Sequence, residues 1–281
     1  MRKQDRLSIL IMVGALLLTA QFSTREARGQ GVGGRGVPSQ AAPSQADPSQ
    51  GDPPPSNLVL QLMAATNVDR IAKGLGELKW DGALARAAQA HAERMVGAPE
   101  LSHQYPGEPD LVARAGRDGA HFRSIAENVA LGPNPQAIEQ EWMNSAPHRA
   151  NILDPRMNAI GIGMVERGGS YYAVEDFSDS VAQLGPQAIE KKVGMLLQQQ
   201  GIQPSGSVQD ARQTCEMEHG SAGGSTPKFV MRWEGSDLTR LPDVLEQQIK
   251  SGRFHTAAVG ACDSGQPGQG FTTYHVAVML Y

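Results

Sequence analysis

The sequence has no run of 20 apolar residues, only two cysteines, no excess of positive charge and none of the short signatures of common catalytic sites. Each absence narrows what the chain can do. A helix that crosses a bilayer needs about 20 apolar residues, and the N-terminal stretch LSILIMVGALLLTA (Leu7 to Ala20) has 14. A formal net charge of −4 leaves no polybasic signature, which argues against nucleic acid or an anionic membrane as a partner. Cys215 and Cys262 do not form a CxxC pair, so neither a redox centre nor a cysteine–metal site is expected. GxSxG, HExxH and a phosphate-cradling glycine loop followed by lysine are all missing.

What is present begins with Arg2, Lys3 and Arg6 ahead of the short apolar run, the layout of a secretory signal. Leu18-Thr19-Ala20 only half satisfies the small-x-small cleavage pattern, so an uncleaved anchor is the alternative; no cysteine follows to take a lipid. We assign residues 1–29 to the signal and expect an exported protein with no membrane span once mature. Residues 30–56 contain PSQAAPSQADPSQGDPPP, with Pro38, Pro43, Pro48 and Pro53 in register. Such a segment lacks the apolar mass to offset its ordering entropy and reads as an extended spacer. Export lets Cys215 and Cys262 form one disulfide, two buried thiols being the alternative.

Folded structure is expected over 57–181 and 182–281. Leu58, Leu62, Ala65 and Ala72 recur at helical spacing, and Leu84, Ala87, Ala88, His91 and Met95 form the stripe of a second helix capped by Asp81. A third helix covers Gln136 to Ser145, ended by Ala146-Pro147. Strands Asn158–Val165 and Tyr171–Phe177 follow, joined by the glycine turn ERGGS. Helices first and a hairpin last make an α+β domain. Beyond Val181, residues 186–200 can form a short helix. Alternating Phe229, Met231 and Trp233, the helix LPDVLEQQI and strands Thr256–Ala261 and Tyr274–Tyr281 give a small second α+β domain of order β-α-β-β. Its final hairpin echoes that of the first, although any glycine-containing hairpin would look similar.

Packing explains most polar residues. His91 lies on an apolar helix stripe and reads as a satisfied core histidine. His255 and His275 are ordinary strand residues. The segment CDSGQPG (Cys262 to Gly268) is similar to the nucleophile segment of trypsin-like proteases, but no matching His-Cys segment accompanies it, so it reads as a turn. Packing explains three others poorly: His103 after PELS, Glu127 inside the apolar run SIAENVA, and His148 beyond the helix break. A carboxylate in an apolar run is excluded unless paired. With separations of 24 and 21 residues, only the fold could bring the three together.

Asn67 and Arg70, then LKWD, AQAHAERM, LSH, AENVA, EWMNSAPHRANILDP, IGIG and YAVEDF occur in that order between about Leu58 and Ser180. The set resembles the CAP superfamily of cysteine-rich secretory proteins, venom allergens and plant pathogenesis-related proteins, which has many bacterial secreted members. The resemblance implies a CAP-type α-β-α sandwich. It also implies a cleft gathering two histidines and one or two glutamates, here His103, Glu127 and His148. The second glutamate, usual just after the tryptophan of the third helix in eukaryotic relatives, is missing after Trp142, and Ser145 is expected to line the cleft instead.

Two imidazoles and a carboxylate are workable ligands for Zn²⁺ or another divalent cation. Without metal, Glu127 would fix the tautomer of one histidine and raise its pKa. The expected function is binding of a divalent metal, an extracellular ligand (lipid, glycan or peptide), or both. The alternative is hydrolysis of peptides or envelope material, either by metal-bound water with Glu127 as base or by a Ser145–His148–Glu127 triad. A polar network that only holds the sandwich together is the ordinary explanation of the same residues. For Ser145 the ordinary role is a turn residue at the end of a helix.

Overall fold

A computed structural model describes residues 55–263 and 270–281. The signal expected over 1–29, nearly all of the spacer 30–56 and most of the CDSGQPG turn lie outside the described residues. Helix α1 (Asn57–Ala72) opens with Ser56, whose side chain accepts the Val59 N–H. After β1 (Lys79–Trp80), Asp81 caps α2 (Gly82–Val96) by accepting from the Ala83 and Leu84 amides, as its position predicts. Then come α3 (Leu111–Arg117), β2 (Phe122–Gly132), α4 (Pro135–Asn144), α5 (Ala146–Ile152), β3 (Ala159–Arg167) and β4 (Ser170–Ser180).

These four strands form one sheet in the order β1-β3-β4-β2. Strand alternation gives it two cores. Ile160, Ile162, Ala173 and Phe177 pack with Val59 and Leu62 of α1, Ile138 and Trp142 of α4 and Ile152 of α5. On the opposite face Ala159 packs with Leu84 and Ala87 of α2 and with Phe122, while Val174 meets Ala88, Ala92 and Met95. The result is α+β, with helices on both faces of a sheet. Arg70, 1% exposed, ties α1 to the far end of this half by donating to the carbonyls of Gly76, Ile152, Asp154 and Met157.

The chain departs from expectation after α4. Pro147 does not lead into a strand; it sits in the first turn of α5, where a missing N–H costs nothing. His148 therefore projects from a short helix. In the C-terminal half the elements are α6 (Pro186–Gln199), β5 (Gln203–Pro204), α7 (Val208–Glu216), β6 (Phe229–Gly235), α8 (Asp243–Lys250), β7 (Thr256–Cys262) and β8 (Tyr274–Leu280). The expected β-α-β-β order omits β5 and α7. Helix α7 hides from periodicity because it buries only Ala211 and Thr214. Cys215 of α7 and Cys262 of β7 form a disulfide.

The second sheet, β5-β7-β8-β6, repeats the first. In each, the short first strand runs parallel to the third, and the third, fourth and second are joined antiparallel. Two helices, α6 and α8, cover one face with Val259, Ala261 and Val278, while α7 covers the other with Ala258 and Met279. The halves also share one close approach of helix to strand. A Cβ on Gly161 would lie 2.1 Å from the Ala85 nitrogen, and one on Gly260 would lie 2.1 Å from the Ala211 carbonyl carbon. Only glycine fits a strand against a helix backbone at that distance.

Gly161→Ala and Gly260→Ala should each lower stability by about 2 kcal/mol or more through overpacking. Gly194→Ala, inside α6 with nothing within 4 Å of the added carbon, should instead stabilise by roughly 0.5–1 kcal/mol. Thermal unfolding midpoints of the three variants check both directions.

Candidate functional site

Strand β2 lies at the edge of its sheet, so groups from both helical layers can reach around it. The loop between α2 and α3 brings His103 from one layer, and α5 brings His148 from the other. On β2 itself Glu127 faces the α2–α3 layer, as do Val129 and Phe122. Its Oε1 lies 2.9 Å from the Nδ1 of His103, and its Oε2 accepts from Arg114 of α3. Arg114 also donates to the His103 carbonyl at 3.2 Å. The Glu127 and Arg114 side chains are 3% and 6% exposed, whereas that of His103 is 59% exposed. One imidazole thus stands in solvent on a buried ion pair.

A second histidine supports this arrangement from beneath. His91, fully buried, has both ring nitrogens engaged: Nδ1 is 2.7 Å from Glu108 Oε1 and Nε2 donates to the Ser102 carbonyl at 2.9 Å. The other Glu108 oxygen accepts the Tyr105 N–H. The loop that carries His103 is therefore built around His91, which fits its reading as a satisfied core residue and adds a positioning role.

His148 is held by its helix. Asn128 donates to the His148 carbonyl at 3.3 Å, and Asn151 donates to both the Asn128 side chain and the Glu127 carbonyl. Its Nδ1 is buried without a partner, and no hydrogen bond joins it to Glu127 among the described residues. Burial, then the nearby His103, lowers its pKa. The raising effect expected of Glu127 on a histidine does not operate on His148, because Arg114 and His103 already occupy that carboxylate. Ser145 marks the junction of α4 and α5; its amide bonds back to Glu141 and Trp142, and its hydroxyl makes no hydrogen bond to His148. The expected cleft thus joins His103 to Glu127, brings His148 near His103, and leaves Ser145 outside any triad.

Sequence reasoning missed three groups. Arg114 lies in a helix that the sequence did not reveal. Asp176, opposite Glu127 on β4, is fully buried beside that carboxyl. Burial, then the charge of Glu127, pushes its pKa well up. On the other face the Thr66 hydroxyl lies within 3.1 Å of the Leu62 carbonyl, 2.9 Å of Glu139 and 2.8 Å of Glu175. A hydroxyl has one proton to donate. Three acceptors around it require that at least one carboxyl be protonated and donate to Thr66. Burial drives both acids up, Glu139 to about 7. The pair Glu175-Asp176 in YAVEDF was the available signal: two acids in a strand covered on both faces.

A divalent metal does not fit the residues as arranged. Both oxygens of Glu127 are engaged, one by His103 and one by the Arg114 guanidinium, whose positive charge opposes a second cation on the same carboxylate. Among the described residues no group of three or more His, Cys, Asp or Glu is placed to hold a metal ion.

Residues 63–177 match the family model described as cysteine-rich secretory protein family, CAP. Over 111 residues the chain is 34% identical to the uncharacterized protein YkwD of Bacillus subtilis (strain 168), covering 38% of this chain and 42% of that one. Over 106 residues it is 32% identical to the uncharacterized membrane protein YlbC of the same organism, covering 37% and 30%. The chain therefore spans less than half the length of these curated relatives. Among solved structures it is similar to an extracellular protein containing an SCP domain from Bacillus anthracis str. Ames, with 28% identity, TM-score 0.40 and coverage of 43% and 39%.

Two outcomes follow from this geometry. Arg114→Met should cost about 3 kcal/mol or more by stranding Glu127, and adding Glu127→Gln should recover most of that loss, as denaturant unfolding will show. A buried acid with a raised pKa stabilises most below its unfolded value and loses that contribution as pH rises through the folded value. His148, lowered, acts oppositely and only below its usual 6.5. The Glu139 contribution should therefore fall as pH rises from 4.5 through about 7 and level off above that. Glu139→Gln should flatten that slope in pH-dependent unfolding.

Proposed function

Residues 63–177 of this chain form a CAP-family domain, and from that premise we propose that it is an exported binding module. Its His103–Glu127 cleft would recognise an extracellular ligand without catalysis. The observation that carries this reading is the contrast in burial along one hydrogen-bonded chain: an exposed imidazole anchored to a buried carboxylate that a buried arginine neutralises. Such a group presents a fixed hydrogen-bonding nitrogen to solvent at little ordering cost, which suits recognition.

Hydrolysis is less well supported. Glu127 is paired with Arg114 and bonded to His103, and a carboxylate neutralised by a buried guanidinium is a weaker general base than a free one. Ser145 lacks the hydrogen bond to His148 that activates a nucleophile. The exposed His103 and the neighbouring His148 are polar, and this favours a glycan or a peptide over the acyl chain of a lipid. Among the described residues no helix is long and apolar enough to cross a membrane. The basic N-terminus followed by a short apolar run supports export, and the proline-rich spacer would hold the domain away from the surface it leaves.

Ring signals of His103 and His148 followed by NMR should move when cell-wall glycan–peptide fragments are added, and His103→Ala should weaken binding roughly tenfold or more. Chelation with EDTA should leave both binding and the unfolding midpoint unchanged. A panel of glycans, peptides and lipids that moves neither signal would sink this reading. Turnover of envelope material lost in His148→Ala would replace it with the hydrolase.

A further inference from the structure

The two sheets can be aligned residue by residue. Gly161 pairs with Asp176, which pairs with Glu127; Gly260 pairs with Ala277, which pairs with Arg232. The shared glycine–helix contact fixes the register. Two residues on, Gly163 closes against Ala88, and at the matching place Cys262 is bonded to Cys215. The cleft itself has no counterpart. Alanine stands in the place of Asp176 and methionine, Met279, in the place of Ser178. Arg232 replaces Glu127 and spends its donors on the Thr214 and Gly220 carbonyls, holding the loop after α7.

This second repeat meets the first half where the His103–Glu127 cluster is supported. The Phe122 N–H donates to the Gly270 carbonyl at 2.9 Å, and the Phe122 carbonyl accepts from the Thr272 N–H at 3.0 Å. Residues 270–272 thereby lie alongside the start of β2, which is otherwise an open edge. The ring of Phe271 stands edge-on to that of Phe122 at 5.2 Å, and Thr272 Oγ1 is 3.0 Å from the Nδ1 of His121. Gly270 has φ +75°, and a Cβ there would fall 2.5 Å from the Phe122 ring and 3.3 Å from the Cα of Gly116 in α3. Phe122 is fully buried against Ala115 of α3. Next to it the register slips between Phe122 and Ser124, and Arg123 donates to Asp179; Asp237 of the C-terminal half, held down mainly by its hydrogen bonds from Thr239, also feels the Arg123 charge. The Tyr274 hydroxyl donates to the Ala182 carbonyl.

We propose that the C-terminal half, a repeat of the first without its His103–Glu127 cluster, acts as a clamp on α3 and the start of β2 and so positions Arg114 against Glu127 and His103. Arg114 is one residue before Ala115, and Glu127 is five residues along β2 from Phe122. Both members of the buried ion pair hang from the corner that residues 270–272 hold. The proposal takes the cleft as the functional site, but it is tested by local order, so it can fail while ligand binding stands, and the reverse.

The test is amide hydrogen exchange on the full chain, with the His103 ring signal recorded by NMR. Thr272→Pro removes the bridging N–H and leaves both cores intact; Gly270→Val forces the strand off Phe122. In each, amides of α3 and of residues 122–127 should exchange roughly tenfold faster or more. The His103 signal should shift in the direction seen for Arg114→Met, while α4, β3 and β7 keep wild-type rates. Thr272→Val retains the N–H and should stay close to wild type in both readouts. Unchanged exchange in α3 with an unmoved His103 signal in both variants would overturn the clamp. So would an acceleration spread evenly over both sheets, since that is the signature of general destabilisation.

Discussion

A carboxylate inside a sandwich of helices and sheet persists as an anion only if a cation is buried with it, and Arg114 is that cation for Glu127. Much of the site follows from this pair. It requires α3 to lie beside β2, although α3 is only seven residues long and could not hold itself there by helix propensity. It requires the loop after α2 to run close, because the same guanidinium takes the His103 carbonyl. It leaves His103 with a fixed acceptor at Nδ1 and its opposite edge in water. It also makes the cleft a poor metal site, since the charge a metal would supply is already present.

The repeated architecture shows two answers to one packing problem. A helix crossing a sheet at van der Waals distance from its backbone needs a strand without side chains at the crossing. The first half meets this with Gly161 and Gly163 under α2. The second keeps Gly260 but places a covalent link, Cys215 to Cys262, at the next crossing. A disulfide closing a loop of this length stabilises by up to about 4 kcal/mol. That contribution suits α7, which buries only two residues and would otherwise be weakly attached. Without the His–Glu cluster, the second half can use Val276 and Ala277 where the first has Glu175 and Asp176.

Elements whose burial is one-sided were legible in the sequence. The stripes of α1, α2, α4, α6 and α8, the caps at Asp81 and the hairpin β3–β4 follow from period and turn chemistry alone. Strand β2 was harder to read because it is covered on both faces, so its residues show no alternation. Helices α3, α5 and α7 are short, and their polar residues face partners that only the tertiary fold supplies. At the site, Glu127 stood out as an acid in an apolar run, and the argument applied equally to Glu175 and Asp176, which share a strand buried on both sides. Arg114 gave no local signal, since an arginine in a short polar helix looks solvated until the fold places a carboxylate opposite it. His148 was located correctly in the chain but not in its bonding, because the sequence could not reveal that Arg114 had already claimed Glu127.

The acids on the two faces of β4 also decide what kind of recognition the cleft can perform. Glu175 and Asp176 are adjacent, point to opposite faces and are both held toward the neutral form by burial. Glu127 is paired with Arg114. Four acids, Glu127, Glu139, Glu175 and Asp176, are thus buried in this half, one against a buried arginine and three with burial opposing their charged form. A ligand approaching His103 meets hydrogen-bonding groups in fixed directions and little long-range field. Selection under those conditions rests on shape and on matching donors to acceptors, so association should depend weakly on ionic strength. On the proposed reading, such a site would suit a neutral or zwitterionic polar ligand better than a polyanion.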